Sequence, residues 1–244
     1  MFVMLQMSKS AYAFSVRSLS TGLSSILNDP TLLTSDDNDE HTESLPTFSV
    51  FDPANPNDSS LAELPSMGQK EAVQAIDRSA AALPAWRDGT TAAARATLLR
   101  KWSDLIQQHA ADIATIMTLE SGKPKAESLG EVNYATSFLD YYASEAIRPT
   151  GAGGGFMVPS NFVSSKDGTS PRGQIMAIQQ AVGVTALITP WNFPLAMITR
   201  KVGPALAAGC TAVVKPSELT PLSAVVLKTL ADRAGIPRDV VQLV

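Results

Sequence analysis

Residues 182–218 carry the pattern that most restricts how this chain can fold. Val182 to Ile188 is a short run rich in β-branched residues, which predicts a buried strand. Thr189-Pro190-Trp191-Asn192 predicts a tight turn, and Phe193 to Ala208 predicts a helix stopped by Gly209 just past its end. Thr211 to Val214 is a second apolar strand, followed by Lys215 and, three residues on, Glu218. Strand, turn, helix, strand and charged end make a βαβ unit, the kind that binds a nucleotide outside the carboxyl ends of its strands. An acidic residue after the second strand is where such folds hold a ribose hydroxyl. Leu219 to Ala234 continues as a helix with Pro221 at its start, and Val240 to Val244 opens a third strand. That last strand is expected to present an unpaired edge and to promote aggregation. No Gly-x-Gly-x-x-Gly fingerprint occurs in the chain.

Upstream the pattern is helical. Gln69–Leu83 places Val73, Ile76, Ala80 and Leu83 at helical spacing, so these are expected in the core. A second helix carries Leu98, Leu99, Trp102, Leu105 and Ile106, and a third carries Ile113, Ile116 and Met117 before Ser121-Gly-Lys-Pro124 breaks it. Glu131–Ile147 is a fourth, whose aromatic stripe of Tyr134, Phe138, Tyr141 and Tyr142 also reads as core. His109 sits among polar neighbours at a helix end and reads as a surface histidine. Gly151 to Gly155 neither follows a convincing strand nor opens a helix, so it is a weak phosphate cradle.

Composition narrows the class. With 45% hydrophobic and 17% charged residues, the 244-residue chain suits one or two globular domains. Its net charge of -4 contains no basic block, which argues against a nucleic-acid partner. No apolar run approaches the ~20 residues of a membrane span, and no metal-ligand set is apparent. One cysteine excludes an internal disulfide and fits a reducing compartment. Residues 1–28 hold Lys9, Arg17, seven serines and no acid, the composition of an organelle transit peptide, with a merely disordered start as the alternative. Residues 29–47, with six acids before Pro46 and no Lys or Arg, read as an acidic disordered linker.

The wording of several stretches adds to this. Ile188-Thr-Pro-Trp-Asn-Phe-Pro194, Gly203-Pro-Ala-Leu-Ala-Ala-Gly-Cys-Thr211 and Val213-Val-Lys-Pro-Ser-Glu218 resemble the aldehyde dehydrogenase superfamily. Met197-Ile-Thr-Arg-Lys-Val-Gly-Pro204 is similar to its succinate-semialdehyde dehydrogenase branch. Pro84-Ala-Trp-Arg87, Met117-Thr-Leu-Glu-Ser-Gly-Lys-Pro124 and Gly130-Glu-Val-Asn-Tyr134 agree, so the resemblance runs from about Phe51 to Val244. One departure is Ala181, where the family usually has proline.

The resemblance implies an α/β fold: an incomplete Rossmann-type cofactor domain over 48–244, with a helical N-terminal part and a β-hairpin oligomerisation arm over 149–181. It implies oxidation of a small aldehyde with NAD, or NADP, in a homo-oligomer, with mitochondrion as the first compartment and cytoplasm as the alternative. The family nucleophile and its water-activating glutamate would lie beyond Val244, so these 244 residues alone are expected to be inactive. Asn192 matches the oxyanion-hole asparagine; its alternative is a helix N-cap. Ile188, Thr189, Pro190, Trp191 and Ser217 would line the cofactor cleft. Lys215 and Glu218 match contacts to the adenosine ribose, where a carboxylate favours NAD over a 2′-phosphate; otherwise they are an exposed ion pair. Phe193, Met197 and Arg200 share a helix face that begins at the oxyanion donor. Arg200 there suits a second carboxylate, as on succinate semialdehyde, or else faces solvent or a subunit interface. Lys201 also matches the family, as an aid to proton traffic. Cys210, between Gly209 and a buried strand, reads as a small packing residue. Two other readings stay open: another branch of the superfamily, and a short non-catalytic nucleotide-binding or interaction protein.

Overall fold

The computed structural model describes Phe14 and residues 16–34, 45–55, 57, 59–148, 155–159 and 174–244. The expected βαβ unit is its centre. Strand β6 (Val184–Ile188), helix α6 (Ala196–Ala207), β7 (Thr211–Lys215), α7 (Leu222–Ala234) and β8 (Val241–Leu243) follow in turn. They form a parallel sheet in the order β6-β7-β8, with Val184 opposite Thr211 and Ile188 opposite Lys215. Gly209 and Gly235 end the two helices with φ of 89° and 94°, the left-handed region that only glycine enters without strain. Thr211 to Val214 is buried without alternation, so both faces of β7 are covered. Helix α2 packs against all three strands, while α6 packs on β6 and β7 and α7 on β8.

Strand β8 stands at one edge of this sheet, paired with β7 alone, while the side chains of Val241, Gln242 and Leu243 are buried. Strand β6 forms the other edge, with Ile188 at 69% exposure.

Helices α2 (Gln69–Arg87), α3 (Ala92–Gln108), α4 (Ala110–Ser121) and α5 (Lys125–Ala146) lie upstream. Leu99, Trp102, Ile106, Ile113, Ile116 and Met117 are buried, as their spacing predicts. Two expected core faces are not, or only in part. On α2, Val73 and Ile76 are exposed, and the buried face is Glu71, Ala75, Ser79 and Trp86. Small side chains allow that face to touch the sheet: the Ser79 carbonyl accepts from Thr211 Oγ1 at 3.0 Å. On α5 the aromatic stripe is split: Tyr134 and Tyr141 are exposed, Phe138 and Tyr142 pack against the core as expected, and Val132, Ala135, Leu139 and Ala143 fill it. Close helix contact again explains the choice, since a Cβ on Gly203 of α6 would lie 3.5 Å from both Leu139 and Tyr142.

The acidic disordered linker is corrected at both of its ends. Residues 29–34 and 45–47 are built into the body, together with residues 16–28. Strand β1 (Ser18–Leu19) and β2 (Thr47–Val50) flank β3 (Ala62–Pro65) in an antiparallel sheet. Helix α1 (Thr21–Ile26) and a 3-10 turn at Pro30–Leu32 place Leu23, Leu27, Leu32 and Leu33 in the core. A carboxylate on α4 fixes this segment: Asp112 accepts from the backbone N–H groups of Asn28 at 3.0 Å and Asp29 at 2.9 Å. Asp29 pairs with Arg233 at 2.8 Å and lies 4.0 Å from His109. His109 is therefore half-buried beside an acid from the N-terminal segment, not an isolated surface group. Residues 1–13 and 35–44, and with them most of the basic leader and the acid cluster, lie outside the described residues.

A separate hairpin, β4 (Gly155–Pro159) paired with β5 (Gln174–Ile178), stands where the arm was expected. Phe156, Met157, Ile175, Met176 and Ile178 are exposed on it. The glycine-rich cradle reading falls on 151–155, of which only Gly155 is described. No helix among the described residues is long and apolar enough to cross a membrane.

Candidate functional site

The carboxyl ends of β6 and β7 lie side by side, because Thr189 N–H donates to the Lys215 carbonyl at 3.1 Å and extends the ladder by one residue. The two segments that follow, 189–195 and 216–221, therefore leave the sheet at one place. They share a cavity of about 390 Å³ whose lining includes Trp191, Glu218, Leu219, Thr220 and, from α4, Glu120 and Ser121. Ser49, Val50, Phe51 and Pro53 complete the lining; of the expected site residues the cavity brings together Trp191 and Glu218, and neither Asn192 nor Lys215 lines it.

At the β7 side, Glu218 is exposed and its carboxylate is 3.3 Å from Lys215 Nζ. A hydrogen bond from its own backbone N–H, then the Lys215 ammonium, hold its carboxyl below the usual range. Lys215 Nζ also donates to the Pro216 carbonyl at 3.2 Å. Ser217 has a local part: its Oγ accepts from Leu219 N–H at 3.3 Å, closing the turn that carries Glu218.

On the β6 side, Thr189 is buried whereas Pro190, Trp191 and Asn192 are exposed. Asn192 does not cap α6. The helix begins at Ala196, its N-cap Leu195 has no side-chain cap, and the orphan N–H groups are taken by a carboxylate from another helix. Glu131 Oε1 accepts from Leu195 N–H at 2.9 Å and from Ala196 N–H at 3.1 Å. The Asn192 side-chain amide makes no hydrogen bond among the described residues, while its carbonyl accepts from Lys123 Nζ at 3.0 Å. Lys123 also pairs with Glu131 Oε2 and lies 4.7 Å from the centre of the Phe193 ring.

The helix starts three residues later than expected, yet Met197 N–H still donates to the Phe193 carbonyl at 3.0 Å, which preserves the spacing of Phe193, Met197 and Arg200. Phe193 and Arg200 are exposed and Met197 is half-buried. Arg200 has no hydrogen bond or ion pair among the described residues. Lys201 bonds the Ile188 carbonyl and thereby fixes the end of β6. Cys210 is buried at 3% exposure.

Three acids were missed as functional elements. Glu131 and Asp112 hold backbone N–H groups of distant segments, and so does Glu120. Glu120 accepts from Leu222 N–H at 2.7 Å and Ser223 N–H at 3.0 Å at the start of α7. Burial pushes its carboxyl up to about 7. Glu120 and Glu131 stand in the motif-like stretches around Gly122 and Gly130, which was the only available signal. No His, Cys, Asp and Glu cluster among the described residues could hold a metal ion.

An open parallel sheet with helices on its strands and an acid-tipped crevice at its carboxyl ends defines a dinucleotide-binding α/β fold. The chain belongs to the aldehyde dehydrogenase family, whose model matches residues 40–244. It is similar to the Escherichia coli protein named succinate-semialdehyde dehydrogenase [NADP(+)], with 48% identity over 196 residues, covering 80% of this chain and 38% of that one. It is also similar to a glutarate-semialdehyde dehydrogenase of Pseudomonas aeruginosa, with 49% identity over 184 residues, covering 75% and 35% of the two chains. Among solved structures, a succinate-semialdehyde dehydrogenase from Burkholderia pseudomallei superposes with a TM-score of 0.77 at 42% identity, covering 90% of this chain and 43% of that one. The chain thus spans less than half the length of the proteins it matches. The family uses NAD or NADP.

Proposed function

We propose that this chain supplies the dinucleotide crevice and the oxyanion-binding turn of a dehydrogenase that oxidises a short aldehyde bearing a second carboxylate. Succinate semialdehyde is the substrate that the resemblance to that branch favours, and the P. aeruginosa relative makes glutarate semialdehyde the competitor to be tested. The observation that carries the reading is the crevice that joins Trp191 to Glu218, with Asn192 next in the chain and its amide without a hydrogen bond among the described residues.

The residues present fit a dinucleotide. Glu218 is an exposed carboxylate at a strand end, able to accept from both ribose hydroxyls, and it would repel a 2′-phosphate. This supports NAD over NADP. Lys215 would exchange its contact with Glu218 for the same sugar, while Ile188, Thr189, Pro190 and Trp191 form the wall beside it. A dinucleotide held there would supply the hydride acceptor for oxidation of the aldehyde.

Asn192 would donate its side-chain N–H to the oxygen that gains negative charge as the carbonyl carbon becomes tetrahedral. Phe193 and Met197 would exclude water from the reacting chain, and Arg200 would take the far carboxylate with two parallel N–H donors. Lys201 is occupied at the Ile188 carbonyl, which favours a part in holding the crevice wall over proton transfer. The hairpin β4–β5, apolar and exposed, would pair with another copy in a homo-oligomer. The acid-poor composition of residues 1–28 supports a mitochondrial address; residues 16–28 pack on the body, so a removable leader would end before them.

Arg200→Ala in the complete protein tests substrate choice. KM for succinate semialdehyde should rise roughly 10- to 100-fold, the loss of one charge-assisted pair of about 1.5–3 kcal/mol, and KM for butanal should not change. An unchanged KM for the carboxylated aldehyde removes Arg200 from the site.

A further inference from the structure

The turn that carries Asn192 contains two prolines, and proline contributes no N–H with which a turn could fix itself. It also precedes a helix whose N-cap offers no side chain. Yet residues 192–196 are held at four points by two side chains from outside. Lys123, at the break between α4 and α5, donates to the Asn192 carbonyl at 3.0 Å and lies over the Phe193 ring at 4.7 Å. Glu131, one and a half turns into α5, takes Leu195 N–H at 2.9 Å and Ala196 N–H at 3.1 Å. The two are paired with each other through Glu131 Oε2.

Glu131 is buried and Lys123 half-buried, with side-chain exposures of 1% and 14%. A carboxylate so buried is costly unless it is fully partnered. Here it has an ammonium on one oxygen and two backbone donors at a positive helix end on the other. The arrangement is therefore a cross-brace between α5 and the start of α6, in which the Asn192 side chain itself has no hydrogen bond among the described residues.

We propose that Lys123 and Glu131 are positioning residues for Asn192: by locking its carbonyl and the first N–H groups of α6, they fix the direction in which its amide points. The inference rests on the reading of Asn192 as the oxyanion donor. Lys123 acts through the backbone and touches no reacting atom.

The test uses the complete protein, wild type and with Lys123→Met, Lys123→Arg and Glu131→Gln. Methionine keeps most of the apolar stem and removes the donor; arginine keeps donors for both partners; glutamine keeps an acceptor for the α6 cap but loses the ion pair. Misplacing an oxyanion donor by about 1 Å costs on the order of 100-fold. For Lys123→Met and Glu131→Gln, kcat should fall roughly 10- to 100-fold, with KM for the aldehyde and the NAD dissociation constant within about threefold of wild type. Lys123→Arg should recover most of the loss. Hydrogen exchange on the same proteins supplies a reading that needs no turnover. Amides of 191–200 should exchange about tenfold faster in Lys123→Met, with the remainder of α5 unaltered.

A wild-type protein that oxidises no aldehyde would defeat the enzymatic reading alone, and exchange would then decide the bracing. Unaltered exchange across 191–200 overturns the proposal, even if kcat falls. So does a kcat within twofold of wild type in Lys123→Met when the wild type is active.

Discussion

Glu120→Gln should change the pH dependence of stability in a calculable way. The Glu120 carboxyl is wholly buried between α4 and α7, and its loss of hydration raises its pKa from the ordinary 4.5 to about 7, despite hydrogen bonds from Leu222 and Ser223 that favour the charged form. The nearby Glu131 carboxylate acts in the same raising direction. Between these two values the folded protein keeps a proton that the unfolded chain has released. The contribution is therefore fully present below about 4.5 and is lost as pH rises through about 7. A gap of roughly two and a half pH units corresponds to about 3 kcal/mol at 1.36 kcal/mol per unit. Glutamine cannot titrate, so the variant lacks this pH-dependent contribution. The free-energy difference between wild type and variant should then shrink by about 3 kcal/mol from pH 4.5 to 7.5. Urea unfolding followed by Trp102 fluorescence is a suitable assay, because that indole is buried and bonded to the Leu227 carbonyl at 3.1 Å. Identical pH slopes in the two proteins would refute the argument.

Other residues give independent expectations. Asp112→Ala strips the backbone N–H groups of Asn28 and Asp29 of their acceptor, which should cost about 2–4 kcal/mol and speed proteolytic release of residues 16–34; an unchanged cleavage rate would mean that the clasp contributes little. Cys210 should react with a thiol reagent only on unfolding, since it is 3% exposed, and Cys210→Ala should leave any activity of the complete protein intact. Rapid labelling of the native protein with loss of activity would reverse that reading. The 244 residues by themselves should oxidise no aldehyde, and turnover by the purified chain would locate a nucleophile within it.

Much of the fold is legible because its signals are local. Gly122, Gly209 and Gly235 end their helices at φ of 74°, 89° and 94°, as glycines after apolar periodic segments should. The strand-turn-helix-strand order over 184–215 follows from β-branched runs and prolines. What the pattern misassigned was the choice of face. On α2 and α5, Val73, Ile76, Tyr134 and Tyr141 are exposed, while Ala75, Ser79, Ala135 and Ala143 are buried beside Trp86, Val132 and Leu139, because close approach to a sheet or helix makes room for small side chains. The caps were invisible for a different reason. Asp112, Glu120 and Glu131 satisfy helix or loop N–H groups 64 to 103 residues away, and such partners leave no trace in sequence spacing. For the same reason Asn192 could be read as an N-cap until the carboxylate that replaces it was located. The N-terminal segment looked like a linker because its acids dominate its composition, although Leu23, Leu27, Leu32 and Leu33 supply enough apolar surface to dock it.

The central claim is that the crevice between the ends of β6 and β7 receives a dinucleotide through Glu218 beside Trp191. Titration of the complete protein with NAD, read through Trp191 fluorescence and repeated with NADP and with Glu218→Ser, tests it most directly. The prediction is a saturable change with NAD that vanishes in Trp191→Phe, and a shift of preference toward NADP once the carboxylate is gone. NAD binding of unaltered strength in Glu218→Ser, with no response from Trp191, would contradict it.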